Sequence, residues 1–95
     1  MIRIVKMTFR PECVREFQET FARSKPTILT YKGCSEVRLL QDENDDRVIV
    51  TYSIWDSEDS LNNYRNSEFF RSTWKHTKTL FAEKPEATSF ARIDT

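Results

Sequence analysis

Residues 48–80 read VIVTYSIWDSEDSLNNYRNSEFFRSTWKHTKTL, and this stretch decides the fold. From Arg47 to Trp55 the residues are β-branched and aromatic on both alternating faces. Val48, Val50, Tyr52 and Ile54 point one way, and Ile49, Thr51, Ser53 and Trp55 the other. A strand that is apolar on both sides is a strand covered on both sides. It ends at Asp56-Ser57-Glu58-Asp59. There a side-chain oxygen of Asp56 or Ser57 accepts the free N–H groups of a new helix, and acidic groups sit at that helix's positive end. Leu61 and Tyr64 give this short helix its apolar stripe. Ser67-Glu68 repeats the start signal, and the spacing predicts a longer helix over Glu68–Phe81. At about 100° per residue, Phe69, Phe70, Thr73, Trp74, Thr77, Leu80 and Phe81 share one face. Trp74 lies near one border of that face and His76 near the other, while Arg71, Lys75 and Lys78 take the opposite side. The helix is amphipathic and lies against a sheet.

Working outward toward the N-terminus, Ile2–Phe9 alternates Ile2, Ile4, Lys6, Thr8 against Arg3, Val5, Met7, Phe9, a second strand with apolar residues on both faces. Pro11 stands at a natural first helical position, Cys13 or Val14, Phe17 and Phe21 repeat at helical spacing, and Pro26 closes a helix predicted over Pro11–Lys25. Gly33, the single glycine, marks the turn into Cys34–Gln41, whose half-polar alternation is that of an edge strand. Asp42-Glu43-Asn44-Asp45-Asp46 is an acidic hairpin turn. It lacks the glycine and distal glutamate of an EF-hand loop. Beyond the long helix, Lys84-Pro85 breaks the chain, and Ala87–Ile93 forms a last strand.

The order β-α-β-β-α-α-β is the split βαβ, or ferredoxin-like, arrangement: an α+β fold with a four-stranded antiparallel sheet and helices on one face. Strands one and three are then central. The uncovered sheet face needs a cover, and a second copy of the chain is the expected one, giving a homodimer.

With 95 residues, one domain over 1–95 is expected. A chain of this size buries only about 60–65% of its unfolded surface, so a dimer interface would add usefully to its core. Fifteen basic and fifteen acidic residues cancel, leaving no broad field for nucleic acid or anionic lipid. No stretch is long and apolar enough to span a bilayer, and the start MIRIVKMTF has no signal-peptide shape. The expectation is a soluble cytoplasmic protein with neither nucleic-acid nor membrane partners. Cys13 and Cys34 are then two reduced thiols. With a single histidine and no cysteine or histidine at ligand spacing, no metal site is expected.

Ile54-Trp55-Asp56-Ser57-Glu58, followed by Leu61, Tyr64, Ser67, Phe70 and Trp74, with Phe9, Pro11 and Phe17 at the first strand-to-helix junction, resembles the antibiotic biosynthesis monooxygenase domain, a dimeric α/β-barrel group. The resemblance implies a small oxygenase that converts phenols or hydroquinones to quinones without a cofactor. Other members degrade haem or isomerise a signalling sugar. Haem-degrading members carry an asparagine on the first strand, a tryptophan on the second helix and a ligating histidine on the third. The corresponding positions here are Val5, Tyr64 and Trp74, so haem degradation is disfavoured.

Cofactor-free oxygenation requires a flat aromatic, a stabilised phenolate and exclusion of water. Tyr52, Tyr64, Phe70 and Trp74 are the candidate walls, His76 or the Tyr64 hydroxyl the candidate proton acceptor, and Arg38 or Arg92 the candidate phenolate partner. Each also has a plainer reading: Phe70 and Trp74 as core packing, His76 as a surface histidine, the arginines as solvated strand charges. Two other functions remain open at this stage, a non-catalytic module that binds an apolar small molecule or dimerises, and an isomerase of a small metabolite.

Overall fold

Alternating β-branched and aromatic residues form four strands, β1 (Ile2–Thr8), β2 (Cys34–Gln41), β3 (Val48–Trp55) and β4 (Glu86–Phe90), in the computed structural model of the protein, which describes residues 1–94. They make one antiparallel sheet in the order β2-β3-β1-β4. β1 and β3 are central, as their two apolar faces require. A 3-10 turn at Pro11–Cys13 leads into α1 (Val14–Ile28), and α2 (Glu58–Arg65) and α3 (Glu68–Lys78) connect β3 to β4. This is the ferredoxin-like α+β arrangement. Among the described residues no helix is long and apolar enough to cross a membrane.

The register divides the sheet into two faces. Arg3 stands opposite Ser53, Val5 opposite Thr51 and Met7 opposite Ile49, and this face lies under the helices. The core beneath them is Met7, Phe9, Cys13, Phe17, Ile49 and Leu80, with the Phe9 and Phe17 rings stacked 4.4 Å apart. Ile2, Ile4, Val50, Tyr52 and Ile54 lie on the other face, which no helix covers, and there Leu40 and Phe90 remain 48% and 51% exposed.

Three boundaries differ from expectation. Pro26 does not end α1, which runs on to Ile28. A proline in the last turn forfeits one N–H, here opposite the carbonyl of exposed Ala22, while Ile28, only 7% exposed, holds the final residues down. α3 ends at Lys78 and not Phe81, because Thr79 turns back and donates its hydroxyl to the His76 carbonyl at 2.6 Å, freeing Phe81 to bridge to Phe9. β4 stops at Phe90, where its pairing with Ile2 at the start of β1 runs out.

The two later helices begin as their sequences direct. Ser57 Oγ accepts from the Ser60 N–H and Ser67 Oγ from the Phe70 N–H, each at 3.1 Å. Gly33, at φ +88°, accepts from the Asp56 N–H at 2.8 Å, tying the start of β2 to the end of β3. Asp42 Oδ1 accepts from the N–H of Asn44 and of Asp45 at 2.7 and 3.2 Å, the local bonding of a hairpin turn.

Candidate functional site

Between the inner sheet face and the helices lies a chamber of about 350 Å³. Its existence follows from residue size. Thr51 and Ser53 of β3, Thr20 and Ser24 of α1, Thr73 and Thr77 of α3 and Ala87 of β4 all line it, and at inward positions these small side chains leave space that leucine or phenylalanine would fill. A volume in the range of small-molecule sites, about 300–1,000 Å³, results.

The walls are aromatic. Trp55 stacks on Tyr64 with centroids 5.2 Å apart, Tyr64 meets Phe70 edge-on at 5.1 Å, and Phe70 stacks on Trp74 at 5.9 Å with 12° between the planes. The i, i+4 spacing of Phe70 and Trp74 on α3 makes that last pair, and the short α2 brings Tyr64 over Trp55 at the end of β3. A flat ring entering this space meets π-faces and ring edges on several sides.

Polar groups are few and unevenly placed. Ser24 and Thr77 each donate to the carbonyl four residues back, Thr20 and Thr73, at 2.8 Å, which removes their protons from the chamber. Ser53 Oγ accepts from the Trp55 indole N–H at 2.9 Å, and its own hydroxyl proton is left free to turn into the space. Burial, with smaller contributions from Tyr31 and Cys34, pushes the Tyr64 phenol well above its usual range, so Tyr64 is a neutral donor near pH 7 and not a base. Arg3 and Arg65 also line the chamber, and Arg3 donates to Ser89 Oγ at 3.0 Å. Burial, and secondarily the neighbouring Arg65 charge, holds Arg3 below the usual guanidinium value. Ala87 and Ser89 belong to the exposed edge strand β4, so the side carrying Arg3 and Arg65 is where the chamber meets solvent. No carboxylate or imidazole lines it, among the described residues.

Of the residues singled out from sequence, the structure gathers Tyr64, Phe70 and Trp74 and leaves the others outside. His76 is on the outer surface of α3, two residues and about 200° round from Trp74, where its Nε2 lies 2.8 Å from Glu16 Oε2 of α1. Tyr52 points to the open sheet face, because its β1 partner is Ile4 and the opposite phase of β3 carries Thr51 and Ser53 inward. Arg38 shares that open face across from Tyr52 and pairs with Glu36. Arg92 follows β4 and pairs with Asp94 at 3.3 Å. Arg3, Arg65 and Ser53 went unselected. Their signal was present for Arg3, an arginine among Val5, Met7 and Phe9 on the inward phase of a central strand. Arg65 carries no such mark.

Val5, Tyr64 and Trp74 do share the chamber, and none offers iron a ring nitrogen lone pair. Cys13 and Cys34 are both free thiols, and among the described residues no three His, Cys, Asp or Glu side chains gather to hold a metal.

A sequence profile described as antibiotic biosynthesis monooxygenase matches residues 1–75. No curated protein matches the chain by sequence. Among solved structures, a conserved protein from Methanosarcina mazei is similar at 23% identity and TM-score 0.86, over 92% of this chain and 87% of that one. Rv0793 from Mycobacterium tuberculosis is similar at 16% identity and TM-score 0.89, over 99% and 95% of the two chains. A variant of SnoaB, a cofactor-independent oxygenase from Streptomyces nogalater, is similar at 19% identity and TM-score 0.87, over 99% and 93%.

Proposed function

Since the chain belongs to the antibiotic biosynthesis monooxygenase family, we propose that its chamber binds a phenolic or quinol-type aromatic and that the protein oxidises it with O2 without a bound cofactor. The observation carrying this reading is the composition of the chamber: aromatic walls with two arginines at its mouth. An ionised phenol is electron-rich enough to react with O2, so the protein's task is to favour the phenolate and keep bulk water from the reacting carbon. The arginine charges and the hydroxyl protons of Tyr64 and Ser53 favour the anion, and the phenolic proton leaves to water at the mouth.

Formally, the ring carbon para to the hydroxyl bonds to one oxygen atom of O2 and loses its hydrogen. The O–O bond breaks, the second oxygen leaves as water with the two hydrogens, and the ring becomes a quinone. The ring is the sole reductant: it gives up the four electrons that O2 takes, one oxygen atom ending in the quinone and the other in water.

The experiment is oxygen uptake by metal-free protein across naphthols, hydroquinones and polycyclic phenols. Saturable uptake that falls at least about tenfold in Trp74→Ala and Tyr64→Ala supports the reading. Uptake no faster than autoxidation across the panel refutes it.

The same proposal includes a homodimer through the open sheet face. Leu40 and Phe90, each about half exposed, flank Ile2, Ile4, Val50, Tyr52 and Ile54 there, an apolar face that a second copy would cover. A monomeric mass by sedimentation at micromolar concentration would remove it. Two free thiols suit a reducing compartment, in keeping with a cytoplasmic site of action.

A further inference from the structure

Arg3 lies on the inner phase of a central strand, directly opposite Ser53, yet its guanidinium has only a neutral partner, Ser89 Oγ at 3.0 Å. A half-buried cation without a counter-charge is unfavourable. The second cation, Arg65 in the last turn of α2, lines the same chamber and adds repulsion. Four of the nine arginines pair with carboxylates, Arg15 with Glu19, Arg38 with Glu36, Arg47 with Asp45 and Arg92 with Asp94. Among the described residues Arg3, Arg10, Arg23, Arg65 and Arg71 do not, and of these Arg3 and Arg65 are the two that line the chamber.

From this juxtaposition we infer that the ligand of the chamber is an aromatic bearing a carboxylate, its ring against the aromatic wall and its carboxylate held between Arg3 and Arg65 at the mouth. An oxyanion there relieves both the missing counter-charge and the repulsion between the two cations, and guanidinium matches carboxylate geometry through paired N–H donors. A simple phenol does not meet the requirement, since a phenolic hydroxyl with a pKa of about 10 is neutral near pH 7 until the site ionises it. The charge must therefore reside on a separate substituent. The inference rests on the chamber being the ligand site, as proposed above, and not on the oxygen chemistry.

The test is calorimetric titration of a hydroxynaphthoate and of the corresponding hydroxynaphthamide, which share ring and phenol and differ in charge. The acid is expected to bind at least about tenfold more tightly, a difference of about 1.4 kcal/mol. In Arg65→Gln, on an exposed helix end, and in Arg3→Gln, the preference should fall toward twofold. Arg3→Lys keeps the charge and should retain most of it, which separates loss of charge from loss of packing. Equal binding of acid and amide to the wild type overturns the inference while leaving the chamber as the ligand site. So does a preference that survives both glutamine variants. If neither compound binds but neutral phenols still drive oxygen uptake, the carboxylate requirement is wrong and the oxygenase reading stands. If neither binds and no phenol is turned over, the chamber is not the ligand site and both fall.

Discussion

Replacing Gly33 by alanine should unfold a large part of the margin that keeps this protein native, and the structure specifies why. Gly33 has φ +88°, where an L-residue costs about 1–2 kcal/mol. A Cβ placed there would lie 2.3 Å from Asp56 Oδ1 and 2.5 Å from both Cβ and Oγ of Ser60. The Asp56 carboxylate can swing aside. Ser60 Cβ cannot, because it is carried by the backbone of α2, so the whole first turn of that helix must move. Overpacking of this sort costs about 1–3 kcal/mol. The displaced turn holds the Ser57 cap, whose bond to the Ser60 N–H is 3.1 Å long, and loss of such a cap costs about 1 kcal/mol. Together these give about 3–6 kcal/mol, a large share of the roughly 5–15 kcal/mol typical of a domain. The assay is urea denaturation followed by Trp fluorescence, with a thermal melt in which Tm falls by at least about 12 °C. Gly33→Asn tolerates positive φ better but keeps the clash, so it should be intermediate. Because α2 carries Tyr64, any folded Gly33→Ala protein should also bind aromatic ligands less well. A loss of stability below about 1 kcal/mol would refute the steric argument.

Ser53→Ala should destabilise the fold by about 1–3 kcal/mol in chemical denaturation, because it leaves the buried Trp55 indole N–H, now bonded at 2.9 Å, without an acceptor; Ser53→Thr, which keeps the hydroxyl, should lose less. Burial raises the Tyr64 phenol pKa in the folded state, so its contribution to stability is fully present below the unfolded value of about 10 and is lost as pH rises through the folded value. Ultraviolet titration should accordingly show one of the three tyrosines ionising last, together with alkaline unfolding, and Tyr64→Phe should abolish that late step.

Periodicity in single elements carried most of the fold. The two-sided apolar character of Ile2–Phe9 and of Arg47–Trp55 identified the central strands, each of which has a neighbouring strand on both edges. Cap chemistry at Ser57 and Ser67 located the starts of α2 and α3, since those bonds are made within three residues. The ends of α1 and α3 were less legible. Pro26 is a local stop signal overruled by the burial of Ile28, and Phe81 is helix-phased yet drawn off to bridge Phe9, 72 positions earlier.

The candidate site divides along the same line. Helical spacing puts Phe70 beside Trp74 and Tyr64 on the apolar stripe of α2, but it was the family resemblance that singled them out as walls, and all three line the chamber. Tyr52 was separated from them only by strand phase. Its alternation was already visible in sequence, but which face the helices cover is set by how the whole sheet packs. The absence of a base, the pairing of His76 with Glu16, and the meeting of Arg3 with Arg65 depend on residues 60 or more positions apart in the chain. Local bonding and side-chain period therefore determined the strands, helix starts and topology from sequence alone. Which face closes over a chamber, which small residues leave it open and which charges are left without partners were decided by tertiary structure, because packing and counter-charge are properties of neighbours in space.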